Sequence, residues 1–309
     1  MPNSVTELWA QLDLMQPGKW GKYRDFAALY TDARRTEYGF VYEGRRNMPR
    51  LKALLAPVMV RTRASDAVSM GFPSVITSRV DLPGVAKLTQ AAIKRAGFGK
   101  LSEEAILAGV NSGVYTSSTL EALLAENVAR KFPAFKRYIG DLLDDFARLK
   151  AIVYVTRVDH VEDLCESMSK IVDVIGVHAS TPDRDGKRDA FWAHPGPCLY
   201  ICTGQSEGES ANLQCASHVF FLHLPYTVAE IIQWRGRAVR AGATTATVWE
   251  EYLMIEGALD TRLMAILLGK IDSVSGLNED DAAFLAGLSD TIEGIKKDAN
   301  LLALSERFG

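Results

Sequence analysis

"AIVYVTRVDHVEDLCESMSKIVDVIGVHA", residues 151–179, decides the fold. It opens on a short apolar, β-branched run, "AIVYVT", which reads as a strand. "DHVEDLCESMSKI" follows with its apolar residues at helical spacing, and "VDVIGVHA" (172–179) reads as a second strand. The alternation then continues. "RDGKRDAFW" predicts a short helix, "PCLYICT" (197–203) and "HVFFLHL" (218–224) two more strands, "TVAEIIQWRGRAV" a helix, and "TATVWEEYLM" (245–254) a fifth strand. Continuous apolar strands separated by helices imply an α/β fold, a parallel sheet with helices on both faces. In such sheets ligands bind beyond the carboxyl ends of the strands, so the segments just after each strand carry the function.

The first 150 residues read differently. "SVTELWAQLDLM", "RDFAALYTDARR", "MPRLKALLAPVMV", "STLEALLAENVARKF" and "PAFKRYIGDLLDDFARL" all have helical patterns, and only "SVITSRVDL" (74–82) resembles a strand. Ser102 ahead of Glu103 and Glu104, and Ser118 ahead of Glu121, are expected helix starts. The tail reads as helical again. The expected organisation is a mainly helical region over 1–150, an α/β lobe over 151–275 and a helical tail over 276–309.

The bulk figures set limits. A chain of 309 residues with 48% hydrophobic and 24% charged residues is that of a globular protein. No run of about 18 apolar residues suits a membrane span, and the N-terminus lacks the pattern of a signal peptide. Four cysteines in apolar surroundings suit a reducing, intracellular, cytoplasmic setting without membrane attachment. Residues 1–150 hold 22 Lys and Arg against 15 Asp and Glu, whereas residues 151–309 hold 13 against 23. A basic half joined to an acidic half is compatible with a localised anionic partner.

The strand ends share a chemistry. Thr156 and Arg157 follow the first strand; His178, Ser180 and Thr181 the second; Thr203, Gly208, Ser210 and Asn212 the third. Each is an ordinary loop residue by itself. Together, hydroxyls, an arginine and a glycine at three consecutive strand ends suit a phosphate backbone held without base reading. The fourth strand leads into "IIQWRGRAVRAG" (231–242). If the helix runs to the glycine, Gln233, Arg237 and Arg240 share one face. They are then either a solvated basic turn near a helix C-terminus or a pair of arginines aimed at a phosphate. Zinc is disfavoured: Cys198 and Cys202 on an extended strand stand about 13 Å apart, too far for one metal. The cysteines read instead as small buried apolar residues.

The order of these segments, closed by Gln-x-x-x-Arg-x-x-Arg-x-Gly, resembles the second, C-terminal RecA-like lobe of superfamily-two helicases, and within them the Swi/Snf-type DNA translocases. "VHASTPDRDGKRDAF" is similar to the family's Gly-Ser-Thr segment, with Ser180, Thr181, Arg184 and Phe191 in its places. "EYLMIEGALDTRL" resembles the closing strand and helix, and "NSVTELWAQLDLMQPGKWGKYRDF" and "LKALLAPVMVRTRASD" resemble the stretch between the two lobes. The likeness covers about residues 3–70 and 150–275. The family's glycine loop is reduced to "EGESAN", keeping Gly208 and Asn212; Tyr226 stands where tryptophan is usual, and Ala243 where glutamine often follows. Such departures suit a divergent relative, encoded by a phage or mobile element.

What this resemblance implies is specific. Arg237 and Arg240 would act as arginine fingers on the terminal phosphate of ATP, with Gln233, Gly208 and Asn212 on the nucleotide side. Thr156, Arg157, Ser180, Thr181 and Thr203 would grip double-stranded DNA by its phosphates. Nucleotide hydrolysis also needs a phosphate loop and an acidic pair for Mg²⁺. "GFGKLS" (97–102) has the wrong spacing for that loop and no hydroxyl directly after Lys100. ATP and Mg²⁺ would therefore be held mainly by a first RecA-like lobe outside this chain. The sequence would then be cut from a longer protein, come from a split gene, or be a lone lobe. The alternative is a non-catalytic DNA- or protein-binding module derived from such a lobe.

Overall fold

In a computed structural model, the structure describes residues 5–36, 39–43, 46–58, 72–102, 105, 106, 108, 109, 117–207, 211–225, 228–255 and 260. The chain forms two compact units. The first holds the described residues up to 58, and the second nearly all of those from 72 onward. The expected tail over 276–309 lies outside the described residues.

In the first unit a single 3₁₀ turn, Val5–Glu7, leads into α1 (Leu8–Met15), followed by α2 (Tyr23–Tyr30) and a two-stranded antiparallel hairpin of β1 (Asp32–Thr36) and β2 (Gly39–Glu43). α3 (Met48–Leu55) completes it. Leu8, Leu12, Phe26, Tyr30, Leu51 and Leu55 bury one another as its core. The hairpin corrects the sequence reading, which extended the helix of "RDFAALYTDARR" through Arg35. The helix stops because Thr31 turns extended, its Oγ1 donating to Ala27 O at 2.6 Å. The charged "DARRT" then pairs with the aromatic and β-branched "GFVYE".

The second unit is built on six parallel strands: β3 (Ser74–Asp81), β4 (Lys150–Val155), β5 (Asp173–Val177), β6 (Cys198–Thr203), β7 (His218–Phe221) and β8 (Thr247–Met254). Their spatial order is β3-β8-β7-β4-β6-β5. The five strands read from sequence are present, with ends that coincide or differ by at most three residues. The sheet also recruits β3 from the region ahead of residue 150, registered against β8 from Ser74–Thr247 to Asp81–Met254. The compact units thus separate near residue 70, so the lobe's sheet draws on both sides of position 150.

Strand periodicity explains the layers. In β4, Ala151, Val153 and Val155 face one way and pack with Phe135 and Ile139 of α6 (Phe132–Asp145) and Val161, Leu164 and Met168 of α7 (Val158–Met168). α6 is preceded by α4 (Gln90–Arg95) and α5 (Ser117–Ala129). Tyr154 faces the other way, where α8 (Arg184–Ala193) and α9 (Val228–Arg235) provide Phe191 and Trp234 as cover. After β6 the chain crosses over β4 to start β7 on its far side. That crossing makes the carboxyl ends of β4, β6 and β7 the switch point where such sheets bind ligands.

Candidate functional site

A cleft of about 870 Å³ opens past the carboxyl ends of β5 and β6, lined by Thr181, Arg184, Arg188, Ser206, Gln233 and Trp234 among others. Its α8 wall starts from Asp183, which holds a left-handed conformation (φ 48°) while its Oδ1 accepts from Gly186 N–H at 3.0 Å. One turn apart on that helix, Arg184 and Arg188 point the same way. Arg184 Nη1 donates to Ser206 O at 3.0 Å. Arg188 grips Glu207 with both arms, Nε–Oε2 at 2.9 Å and Nη2–Oε1 at 3.2 Å. That fork holds the arginine above its usual pKa, chiefly through the hydrogen bond to Glu207. The carboxylate is 1% exposed, so a buried charge is matched by a charge-assisted pair.

The opposite wall is Trp234, whose ring packs with Tyr154 (centroids 5.0 Å apart) and with Phe221 (6.4 Å). Gly204, the residue after β6, lies against this indole; a Cβ there would sit 1.8 Å from Cζ2. Tyr154 Oη donates to Trp234 O at 2.9 Å, tying the end of α9 to the sheet.

Past Trp234 the structure corrects the sequence reading of one long helical face. α9 ends at Arg235, before the arginines at 237 and 240. Gly236, about 1 kcal/mol worse than alanine in a helix, directly follows α9 and donates its N–H to Ile232 O, and one more bond of helical span, Val239 N–H to Arg235 O at 3.1 Å, lies beyond it. Tighter turns take over: Arg237 N–H to Trp234 O at 3.1 Å, Ala238 N–H to Arg235 O at 3.0 Å, and Arg240 N–H to Ala238 O at 3.1 Å. Gly242 finishes the run at φ +81°. Leu213 N–H donates to Arg237 O at 3.2 Å, which brings the segment beside Asn212 onto this turn. Arg237 is 5% exposed. Burial lowers its pKa most and the like charge of Arg240 lowers it further, while Tyr154 and Glu207 act in the other direction.

The remaining expected site residues divide. Thr203 ends β6, and its Oγ1 accepts from Ser206 N–H at 3.3 Å; Thr181 Oγ1 accepts from His178 N–H at 2.9 Å. Both hydroxyls shape the loops that follow β5 and β6. Thr156, directly after β4, has a buried Oγ1 without a hydrogen-bond partner among the described residues. Arg157 stands at the N-cap position of α7 without a side-chain capping bond and pairs with Asp159 at 2.9 Å. Ser180 is exposed. The Asn212 carbonyl accepts from Trp192 Nε1 at 2.7 Å, beside the C-terminal end of α8. Gly208 lies outside the described residues. Sequence reasoning missed the Arg188–Glu207 fork. Its one signal was the four-residue spacing of Arg184 and Arg188, which tells only that the two share a face.

The cleft and the arginine turn offer guanidinium and amide donors, the groups that suit phosphate oxygens. Among the described residues no three His, Cys, Asp or Glu side chains converge as a metal site. Asp183 caps α8 and Glu207 neutralises Arg188, so these two acids already have occupations. No helix of the described residues is long and apolar enough to cross a membrane.

Residues 134–242 match the helicase conserved C-terminal domain. The SWI/SNF-related matrix-associated actin-dependent regulator of chromatin subfamily A-like protein 1 of Xenopus tropicalis is 26% identical over 296 residues, covering 93% of this chain and 30% of that protein. The DNA annealing helicase and endonuclease ZRANB3 of Homo sapiens is 26% identical over 273 residues, covering 84% of this chain and 24% of that protein. The chain therefore spans less than a third of the length of either relative. The crystal structure of the C-terminal part of the Fun30 ATPase domain is 20% identical and covers 44% of this chain and 45% of that one, with a TM-score of 0.40. Both named relatives come from vertebrates and lend no support to a phage origin. The match over residues 134–242 and these relatives support a C-terminal RecA-like lobe of the Swi/Snf helicase type in this chain.

Proposed function

We propose that this lobe is the C-terminal half of an ATP-dependent translocase on double-stranded DNA, completed by a first RecA-like lobe that carries the phosphate loop. The observation that carries the reading is the turn after α9. It holds Arg237 and Arg240 through backbone hydrogen bonds to Trp234 and Leu213 for the first and to Ala238 for the second, with Trp234 itself bound to the sheet by Tyr154. Two arginines crowded on a rigid, half-desolvated turn suit an anion with more than one negative oxygen. ATP supplies the phosphoryl group when bound. In this chain Gln233, Arg237 and Arg240 would face it, with the Asn212 segment beside the turn, and Mg²⁺ would be held by acidic residues of the first lobe.

Thr156, Arg157, Ser180, Thr181 and Thr203 stand at or just beyond the carboxyl ends of β4, β5 and β6. In this reading they hold one DNA strand by its phosphates, and opening and closing against the first lobe moves the grip along. The relatives' descriptions, a regulator of chromatin and a DNA annealing helicase, support DNA as the substrate and an intracellular setting. In this reading the expected lobe over 151–275 takes in the second unit's residues from 72 onward as well, and the first unit supplies the region between the lobes.

The test is duplex-stimulated ATP hydrolysis by the chain joined to its first lobe. An arginine finger is worth about 10³–10⁵ in rate, so Arg237→Ala should remove at least about 10³-fold of kcat and leave duplex binding unchanged. A joined protein that binds DNA or a protein partner but hydrolyses no ATP would make the lobe a repurposed binding module.

A further inference from the structure

The aromatic side chains of the first unit form a line that runs out to its surface. Trp9 of α1 meets Tyr23 of α2 edge-on, with centroids 5.7 Å apart and planes at 78°. Tyr23 meets Tyr42 of β2 in the same manner at 5.8 Å and 83°. Tyr42 lies nearly parallel to Phe40, at 6.3 Å and 17°. The inner end is fixed, since Trp9 Nε1 donates to Gly21 O at 3.0 Å. The outer end is open: Phe40 is 56% exposed and Tyr23 40% exposed.

The hairpin register adds charge to this line. Arg35 pairs across from Phe40 and Ala33 across from Tyr42. Cross-strand partners share a face, so Arg35, Phe40 and Tyr42 point to the same side of the hairpin. Arg35 is exposed, and Ala33 is too small to cover Tyr42. Residues 1–69 hold 11 Lys and Arg against 7 Asp and Glu, so the surroundings favour an anion. A purely apolar docking face would gain nothing from an arginine level with its rings. A base-paired duplex would offer phosphates to that arginine, but no free ring face to Phe40.

We propose that this hairpin face is a stacking platform for an unpaired nucleic-acid strand. A base lies on Phe40, with Tyr42 beside that ring and Tyr23 behind Tyr42, and Arg35 takes an adjoining phosphate. The platform lies outside the lobe and its nucleotide cleft, and its ligand is not the duplex of the translocase reading.

The test is equilibrium binding of oligothymidylate, oligouridylate and a blunt duplex to the full chain without nucleotide. Stacking of one base makes Phe40→Ala weaken single-strand binding by about tenfold and leave duplex binding unchanged. Phe40→Trp should retain the affinity. Phe40→Leu keeps apolar bulk without the ring and should behave as Phe40→Ala, which separates stacking from any folding defect. Arg35→Gln should flatten the salt dependence of single-strand binding. A loss confined to oligothymidylate or to oligouridylate identifies DNA or RNA as the ligand. The proposal is overturned if the chain binds neither oligonucleotide, if Phe40→Ala leaves single-strand binding intact, or if it weakens duplex and single strand alike. ATP hydrolysis plays no part in these measurements, so failure here is distinct from failure of the translocase reading.

Discussion

A methyl group added at residue 204 would land 1.8 Å from the Trp234 ring, and the indole cannot retreat because Tyr154 and Phe221 pack behind it. Gly204→Ala should therefore lower the unfolding free energy by about 2–3 kcal/mol, read as a shift in the urea midpoint at constant slope. An unchanged midpoint would mean that the aromatic stack yields. His223 makes a second case. Burial first, then the positive charges of Lys131 and His160, pull its pKa down to about 3. The unfolded chain takes up a proton below about 6.5 that the fold refuses, so this contribution is complete above that pH and is lost as pH falls toward 3. Wild type should lose about 2 kcal/mol more than His223→Gln between pH 6.5 and 5. Parallel stability profiles for the two proteins would contradict this. The buried Glu250 and Glu251 work in the opposite sense, since burial raises both carboxyls, and both proteins share that background.

At the scale of elements, the loop before α6 clamps the sheet from below its surface. Lys131, wholly buried, donates from Nζ to Leu222 O at 2.9 Å, to Leu253 O at 2.8 Å and to Asp260 at 2.9 Å. It thereby joins the ends of β7 and β8. Burial lowers the lysine pKa most and Asp260 opposes that shift. Asp260→Ala would leave an ammonium without its countercharge and should destabilise by about 3–5 kcal/mol in chemical denaturation; a loss below about 1 kcal/mol would sink this account. Lys131→Met paired with Asp260→Leu should restore much of the loss. The elements themselves differed in how legible they were. β4, β6 and β7 were plain because buried parallel strands are apolar throughout. β1 was hidden, since "DARRT" gains its strand state from pairing with β2 and carries no β-branched run of its own. The C-terminus of α9 was misread because Arg and Val after Gly236 keep a helical pattern, while the chain winds into tighter turns there. β3 was recognised as a strand, but its parallel pairing with β8, 173 residues away, leaves no local trace.

For the molecule as a whole, two anionic ligands are proposed, one for the lobe and one for the first unit. The lobe offers phosphate donors at strand ends and on the arginine turn, and the first unit offers rings beside Arg35. Strand ends could be read in advance because side chains there are set by local sequence. The Arg188–Glu207 fork could not, since it joins α8 to the loop after β6 only once the sheet has formed. The central claim is that Arg237 completes a nucleotide site held by another lobe, and one measurement addresses it most directly: the kcat for duplex-stimulated ATP hydrolysis of the joined protein, wild type beside Arg237→Ala. The account predicts a loss of at least about 10³-fold with duplex affinity unchanged. Hydrolysis within a few-fold of wild type would contradict it.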